Sequence, residues 1–308
     1  MWTQHHDSLL DLVGNTPLYR LREVTRDLPP EVEVFAKLEF FNPGGSVKDR
    51  PARQMLLDAM ARGDLRPGSR IIDSTSGNTG VAYAMLGAAL GLEVHLVMPS
   101  NVSEARKDIV TAYGAQVHYS DPLEGSDGAI RMAKQMVEES PGTFYYPDQY
   151  ANRSNPKAHE LTTAPEIWRD TEGRVTHFVA GLGTTGTVTG TSRGLKRFRS
   201  DIEVIAVEPD QAFHGLEGLK HLASSLVPPI YDAAAHDEKM PVATEDGWDM
   251  AERLAREEGL AVGYSSGAAV VGALTVAKRL DRGVIVCILC DHADRYIQRP
   301  RSLRKAQP

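Results

Sequence analysis

Apolar stretches of strand length alternate with apolar stretches of helical period along most of this chain, and that alternation restricts the fold more than any other property of the sequence. Short apolar runs at 32–38, 71–72, 93–98, 116–119, 177–180, 204–207 and 284–289 are predicted strands. Between them, one helix opens at Pro51 and ends at Gly63, and others cover 81–90, 103–113 and 125–138. Further helices hold Ile167 and Trp168, start from about 188, lie around 248–258 and start near Ser266. Two stretches, 145–155 and 209–241, read as loop and irregular chain. Strands that alternate with helices through short connections argue for mostly parallel sheets flanked by helices, an α/β fold.

At 308 residues the chain has room for a large core in two lobes. Its composition, 42% hydrophobic and 24% charged, is that of an ordinary soluble globular protein. A net charge of -7 gives no electrostatic case for nucleic acid or an anionic membrane as partner. The basic run 299–305 reads as a solvated tail. No stretch approaches transmembrane length and residues 1–6 lack the apolar core of a signal peptide, so a cytoplasmic location is expected. Cys287 and Cys290 lie in the apolar run 284–290 with no second pair to complete a zinc site. They read as core thiols in a reducing compartment, and no metal is expected.

In open parallel sheets, ligands bind where strand ends lead into helix N-termini. Three such junctions are rich in glycine and small hydroxyl residues. Ser74-Thr75-Ser76-Gly77-Asn78-Thr79-Gly80 offers hydroxyls, an amide and a run of N–H groups, a receptor suited to a carboxylate, where helix capping alone needs one of these residues. Gly181-Leu182-Gly183-Thr184-Thr185-Gly186-Thr187 is neither a Walker loop nor the dinucleotide pattern and reads as a cradle for one phosphate. Gly263-Tyr264-Ser265-Ser266-Gly267 adds a serine that either caps the next helix or faces a ligand. Ahead of all three stands Asn42-Pro43-Gly44-Gly45-Ser46-Val47-Lys48-Asp49-Arg50. A lysine that must form a Schiff base needs close backbone approach and fixed orientation, which this setting provides. Alone, the nonapeptide is explained better as a glycine turn before a helix. A reactive lysine, a carboxylate receptor, a phosphate cradle and a further hydroxyl together suit a small amino acid and a pyridoxal phosphate cofactor.

These motifs resemble the fold-type II pyridoxal-phosphate enzymes of the cysteine synthase and cystathionine β-synthase group. The resemblance runs from Val13-Gly14-Asn15-Thr16-Pro17-Leu18 to Asp291-His292-Ala293-Asp294-Arg295-Tyr296. Asp148-Gln149-Tyr150, Ala164-Pro165-Glu166-Ile167-Trp168, Thr176-His177-Phe178-Val179, Gly183-Thr184-Thr185-Gly186-Thr187 and Cys290-Asp291 are most similar to the cysteine synthase B branch. The resemblance implies a two-lobed, tryptophan synthase β-like architecture: residues 1–44 plus 147–308 as the larger, cofactor-binding domain, and 45–146 as a smaller mobile domain that closes over a bound carboxylate. It implies that Lys48 carries the cofactor aldehyde, Asn78 bonds the ring hydroxyl, Gly183, Thr184, Thr185, Gly186 and Thr187 hold the phosphate, and Ser265 faces the ring nitrogen. Thr75, Ser76, Thr79 and Gln149 sit where the group binds the substrate carboxylate. A basic residue at the Lys220 position is similar to one thought to meet an anionic substrate.

The implied activity is β-replacement. O-acetylserine or O-phosphoserine loses its β-substituent, and sulfide or thiosulfate adds to give L-cysteine or S-sulfocysteine, with Lys48 as the base at the α-carbon. A neutral hydroxyl at Ser265 cannot keep the ring nitrogen protonated as a carboxylate would, which favours prompt elimination over a long-lived carbanion. Asp291 near the adjacent strand end is the acid placed to disturb this. Cystathionine β-synthesis, or synthesis of another β-substituted alanine, shares the chemistry and uses a different nucleophile. An inactive ligand-binding or scaffold homologue is the reading from another class, disfavoured by the intact Lys48 and phosphate loop. Members of the group imply a homodimer. The sequence departs from the group after Arg295-Tyr296, where Ile297-Gln298-Arg299-Pro300 replaces Leu-Ser-Thr; a locally altered surface with unchanged chemistry is expected.

Overall fold

A computed structural model describes residues 6–75 and 77–296. The chain enters through β1 (Leu18–Arg20), which pairs antiparallel with β2 (Val32–Leu38). α1 (Asp49–Arg62) begins directly behind Lys48, with Pro51 in the first turn, where its missing N–H costs nothing. Ala52, Met55, Leu56 and Ala59 form the buried face, and Gly63 ends the helix at φ 82°, a left-handed conformation glycine adopts freely. β3 (Arg70–Ser74), α2 (Asn78–Leu90), β4 (Glu93–Pro99), α3 (Glu104–Ala112), β5 (Gln116–Ser120) and α4 (Gly125–Glu139) then alternate. β3, β4 and β5 make a three-stranded parallel sheet.

A strap follows, laying Tyr145 beside Ile71 of β3. Where the sequence suggests one helix around Ile167, there are two: α5 (Ser154–Leu161) and α6 (Thr163–Asp170). They separate at Thr162, whose φ of -125° leaves the helical region. β6 (His177–Gly181), α7 (Gly186–Phe198) and β7 (Glu203–Pro209) come next. The section 209–241 is irregular until it delivers β8 (Glu238–Val242), parallel to β7. Its Glu-Lys-Met-Pro-Val sequence disguises it, because charges and a proline mark an edge strand, and β8 lies at a sheet edge. α8 (Thr244–Arg253), a π turn over Leu254–Glu258, α9 (Tyr264–Ala277) and β9 (Gly283–Leu289) complete the described chain.

The six-stranded sheet has the order β1-β2-β9-β6-β7-β8, and only the β1 pairing is antiparallel. Its two faces carry separate apolar clusters, one with Val34, Val179, Ile285 and Cys287, the other with Phe178, Val204, Val286 and Ile288. Burial on both faces is why β9 reads as a continuous apolar run. The smaller sheet has its own cluster, built on Ile71, Leu96 and α2, which Leu10 and Val13 from the start of the chain also enter. Cys287 and Cys290 are free thiols, pushed up to about 12 and about 11 by burial.

One polar cluster is buried among these elements. Arg50 pairs with Glu39 at 2.7 Å and with Glu166 at 2.7 Å, and Lys37 reaches Glu166 at 2.8 Å. Thr16 and Asn42 donate to Glu39 at 2.7 Å and 2.9 Å, so its carboxylate is well satisfied. Removing one partner of such a group strands a buried charge, and Arg50→Leu should lower the unfolding free energy by about 3–5 kcal/mol in urea denaturation. Burial opposes ionisation of Glu166, yet Arg50 and Lys37 hold its carboxyl down, from 4.5 to about 2. That contribution is complete above the unfolded value and disappears as pH falls through the folded one. Glu166→Gln should therefore flatten the acid-unfolding profile between pH 4.5 and about 2, measured as the denaturation midpoint against pH.

Candidate active site

Lys48 is the last residue before α1, on a loop stitched to the end of β9. The Val47 N–H donates to the Cys290 carbonyl at 2.8 Å, and Ser46 bridges to Asp291. Asp49 closes the glycine turn by accepting the Gly44 N–H at 2.5 Å; burial pushes its carboxyl up to about 7. Gly45 sits at φ 75°, and a Cβ there would come within 2.6 Å of the Arg295 guanidinium. Only glycine suits that position.

The carboxylate loop sits between β3 and α2. Thr75 Oγ1 accepts from the Gly77 and Gly80 N–H groups, each at 3.2 Å, so this hydroxyl takes the capping duty. Thr79 donates to Gln149 Oε1 at 2.8 Å, and Gln149 Nε2 donates to the Ser74 carbonyl at 2.8 Å. Behind them Asp73 accepts from Tyr83 at 2.9 Å and from the Gln149 N–H at 3.2 Å, and burial pushes it up to about 7. Ser76 lies outside the described residues.

The phosphate-type loop leads from β6 into α7. Gly183 passes so close to the Gly218 carbonyl that a side chain would collide with it. Thr185 holds φ 72°, unusual for a branched residue, and its Oγ1 is buried without a hydrogen-bond partner. An unpartnered hydroxyl at the N-terminus of a thirteen-residue helix is a donor in want of an anion.

Ser265, in the first turn of α9, is buried. Asn78 donates to Asp291 at 2.5 Å and takes a bond from Arg295, while Tyr296 also donates to Asp291. Burial raises the Asp291 pKa against those two hydrogen bonds and the Arg295 charge.

One cavity of about 210 Å³ gathers these parts. Lys48, Thr75, Asn78, Thr79, Gln149, Gly183, Thr184, Thr185, Thr187, Lys220 and Ser265 all line it, and Gly186 stands behind as the first residue of α7. Arg106, Glu217 and Tyr296 also line it, and of these Arg106 falls in no motif of the sequence. Arg106 pairs with Glu217 at 2.8 Å and lies 4.9 Å over the Tyr296 ring; Lys220 pairs with Asp127 at 3.3 Å and lies 5.3 Å over the Tyr150 ring. No spacing signal finds such partners, because each pair joins elements far apart in the chain. Ile297 to Pro300, and the basic tail, lie outside the described residues. Among the described residues no group of three His, Cys, Asp or Glu side chains is placed to hold a metal. The cavity can therefore seat a carboxylate at one wall and a phosphate monoester at another, with a lysine amine between the loops that present them.

A family model for pyridoxal-phosphate dependent enzymes matches residues 9–291. The chain is similar to a cysteine synthase of Aquifex aeolicus, 50% identical over 94% of this chain and 90% of that protein. It is also similar to cysteine synthase B of Pseudomonas aeruginosa, 42% identical over 96% and 97%. Among solved structures, a cysteine synthase of Entamoeba histolytica superposes with a TM-score of 0.93 at 36% identity, covering 100% of this chain and 93% of that one.

Proposed function

The chain belongs to the family of pyridoxal-phosphate dependent enzymes, and on that premise we propose that it makes cysteine by β-replacement on an activated serine. One observation carries the reading: a single cavity joins Lys48, the carboxylate loop and a buried, unpartnered Thr185 hydroxyl at a helix N-terminus. That hydroxyl, at the N-terminus of α7, fits a phosphate group. Lys48 would hold the cofactor aldehyde, Asn78 the ring hydroxyl, Gly183 through Thr187 the phosphate, and Ser265 the ring nitrogen. When bound, the cofactor supplies an aldehyde for an amine and a ring that withdraws electrons from the substrate α-carbon.

The side chains divide the remaining work. Thr75, Ser76, Thr79 and Gln149 bind the substrate carboxylate, which fixes the α-carbon near the Lys48 amine. That amine takes the α-proton and later returns one. O-acetylserine loses acetate and gains the sulfur of sulfide, so the atoms balance as cysteine plus acetate. Ser265 supplies a neutral hydroxyl where a carboxylate would hold a ring proton, and the chemistry is biased towards elimination. Asp291, which lines the cavity, is bonded by Asn78 and Tyr296, and burial favours its neutral form.

Residues 45–146 act in this reading as the mobile domain against 1–44 plus 147–308; the separate three-stranded sheet supports the division, with Leu10 and Val13 packed onto the smaller part. Lys220 meets a phosphate or thiosulfate anion. A cytoplasmic homodimer belongs to the same reading. No helix among the described residues is long and apolar enough to cross a membrane.

Lys48→Ala should lose the visible absorbance of the bound cofactor and lower cysteine formation from O-acetylserine and sulfide by about 10²–10⁴-fold, as loss of a positioned base does. If cysteine forms at the original rate, the assignment of Lys48 fails. Lys220→Ala should raise KM for O-phosphoserine or thiosulfate by about tenfold or more, the value of a charged hydrogen bond, and leave KM for O-acetylserine much less affected. Unchanged kinetics with all three would remove Lys220 from the site.

A further inference from the structure

Two hydrogen bonds lead away from the cavity and meet on one side chain. Asn155 is buried at the start of α5, outside the cavity wall. Its amide nitrogen donates to the Gln149 carbonyl at 2.8 Å and to Thr184 Oγ1 at 3.1 Å. Gln149 belongs to the carboxylate receptor and Thr184 to the phosphate cradle, so one amide group ties the two ligand-binding loops together. We propose that Asn155 is a positioning residue that couples them, so that an amino acid arriving at Gln149 alters the hydrogen bonding of Thr184. The inference rests on the reading given under Proposed function.

The count of donors supports it. An amide nitrogen has two hydrogens, and here both are used. Thr184 Oγ1 accepts one of them and also faces the Gly186 N–H at 3.5 Å, which leaves the Thr184 hydroxyl hydrogen to donate into the cavity. At the other end the Gln149 peptide is held from both sides, its N–H by Asp73 at 3.2 Å and its carbonyl by Asn155. The Gln149 side chain uses Oε1 for Thr79 and one Nε2 hydrogen for Ser74, and keeps a second Nε2 hydrogen for a carboxylate.

Backbone strain marks the same two places. Asp148, next to Gln149, has φ 49°, and Thr185, next to Thr184, has φ 72°. Of the described residues other than glycine, only Asn15 and Glu172 share that region. Such conformations persist only where surrounding bonds over-determine them. Asn155 supplies one of those bonds on each side, and it packs directly on Gly186, where any side chain would collide with its amide oxygen. A shift of Gln149 as it turns to a carboxylate therefore passes to Thr184 through an amide nitrogen whose two hydrogens are both engaged. By reciprocity, an anion held at the cradle favours the Gln149 position that binds the carboxylate.

Phosphorus-31 NMR of the holoenzyme tests this, with L-serine as an amino acid lacking an activated leaving group and its binding followed by the visible spectrum. In the wild type, saturating L-serine should move the cofactor phosphate resonance. Asn155→Asp keeps the size and, ionised, donates no hydrogen bond; Asn155→Ala removes the group. Each variant should bind cofactor and L-serine with that displacement lost, and KM for O-acetylserine should rise on the order of tenfold, more than kcat falls. Should Asn155→Asp fail to retain cofactor, Asn155→Ala decides, and Thr184→Val breaks the same link from its other end. A wild-type displacement preserved in the variants that bind both ligands overturns the coupling, as does a wild-type resonance that does not move. A wild-type holoenzyme that forms no cysteine from O-acetylserine and sulfide overturns the functional reading instead.

Discussion

A parallel strand cannot return by a hairpin, so each must be followed by a crossover, and every crossover leaves its strand at the same end of the sheet. That constraint builds the cavity. β2 delivers the Lys48 loop, β3 the Thr75–Thr79 loop, β6 the Gly183–Thr187 loop and β9 the Cys290–Asp291 turn, all at carboxyl ends. Two sheets contribute, β3 from the three-stranded one and the others from the six-stranded one, with their carboxyl ends facing one space. Helices α1, α2, α7 and α9 start from these junctions or beside them, so their unsatisfied N–H groups border the same space. A chain of this architecture would have an anion-receptive crevice before any catalytic residue was chosen.

The buried carboxyls then sort themselves by whether a cation pairs with them directly. Glu39 and Glu166 are held below their ordinary values because Arg50 and Lys37 outweigh the burial that opposes ionisation. Asp49 and Asp73, each buried beside the cavity loops with backbone N–H groups as partners, are pushed up to about 7. Asp291 moves the same way. The full ion pairs thus gather on Arg50 and Lys37, and the buried carboxyls near the cavity loops are those that lose charge most easily. Among the described residues no acid forms a salt bridge with Lys48, which suits the proton transfer proposed for its amine.

Much of this was legible in the sequence because the periodicity is strong. The apolar runs of β2, β4 and β9 and the spacing of Ala52, Met55, Leu56 and Ala59 in α1 fall where the pattern puts them. What escaped did so for identifiable reasons. β1 has three residues and is mostly exposed, β8 carries the charges and proline of an edge, and the break at Thr162 depends on tertiary contacts. The junction loops announced themselves by composition, since several glycines and hydroxyls between a strand and a helix exceed what capping needs. Asn155 and Arg106 carried no such mark. Each has a partner 29 or more residues distant, Thr184 for one and Glu217 for the other, and no local pattern encodes a contact of that kind.

The mouth of the cavity shows the same asymmetry between fixed and replaceable groups. Arg106 has 13% of its side chain exposed against 54% for its partner Glu217, and Lys220 has 10% against 30% for Asp127. Each cation also lies over an aromatic face, Tyr296 for Arg106 and Tyr150 for Lys220, which stabilises it independently of its carboxylate. An exposed carboxylate contributes little to such a pair, on the order of 0.2–1 kcal/mol, whereas the desolvated cation still requires some anion. The carboxylates are therefore the more solvated members of the two pairs, and under the proposed function an entering anion would compete with Glu217 or Asp127. Each pair also joins the 45–146 part of the chain to the 215–220 segment. Under the proposed function, selectivity and closure would draw on the same two ion pairs, which ties any preference for a charged substrate to the geometry of the closed site.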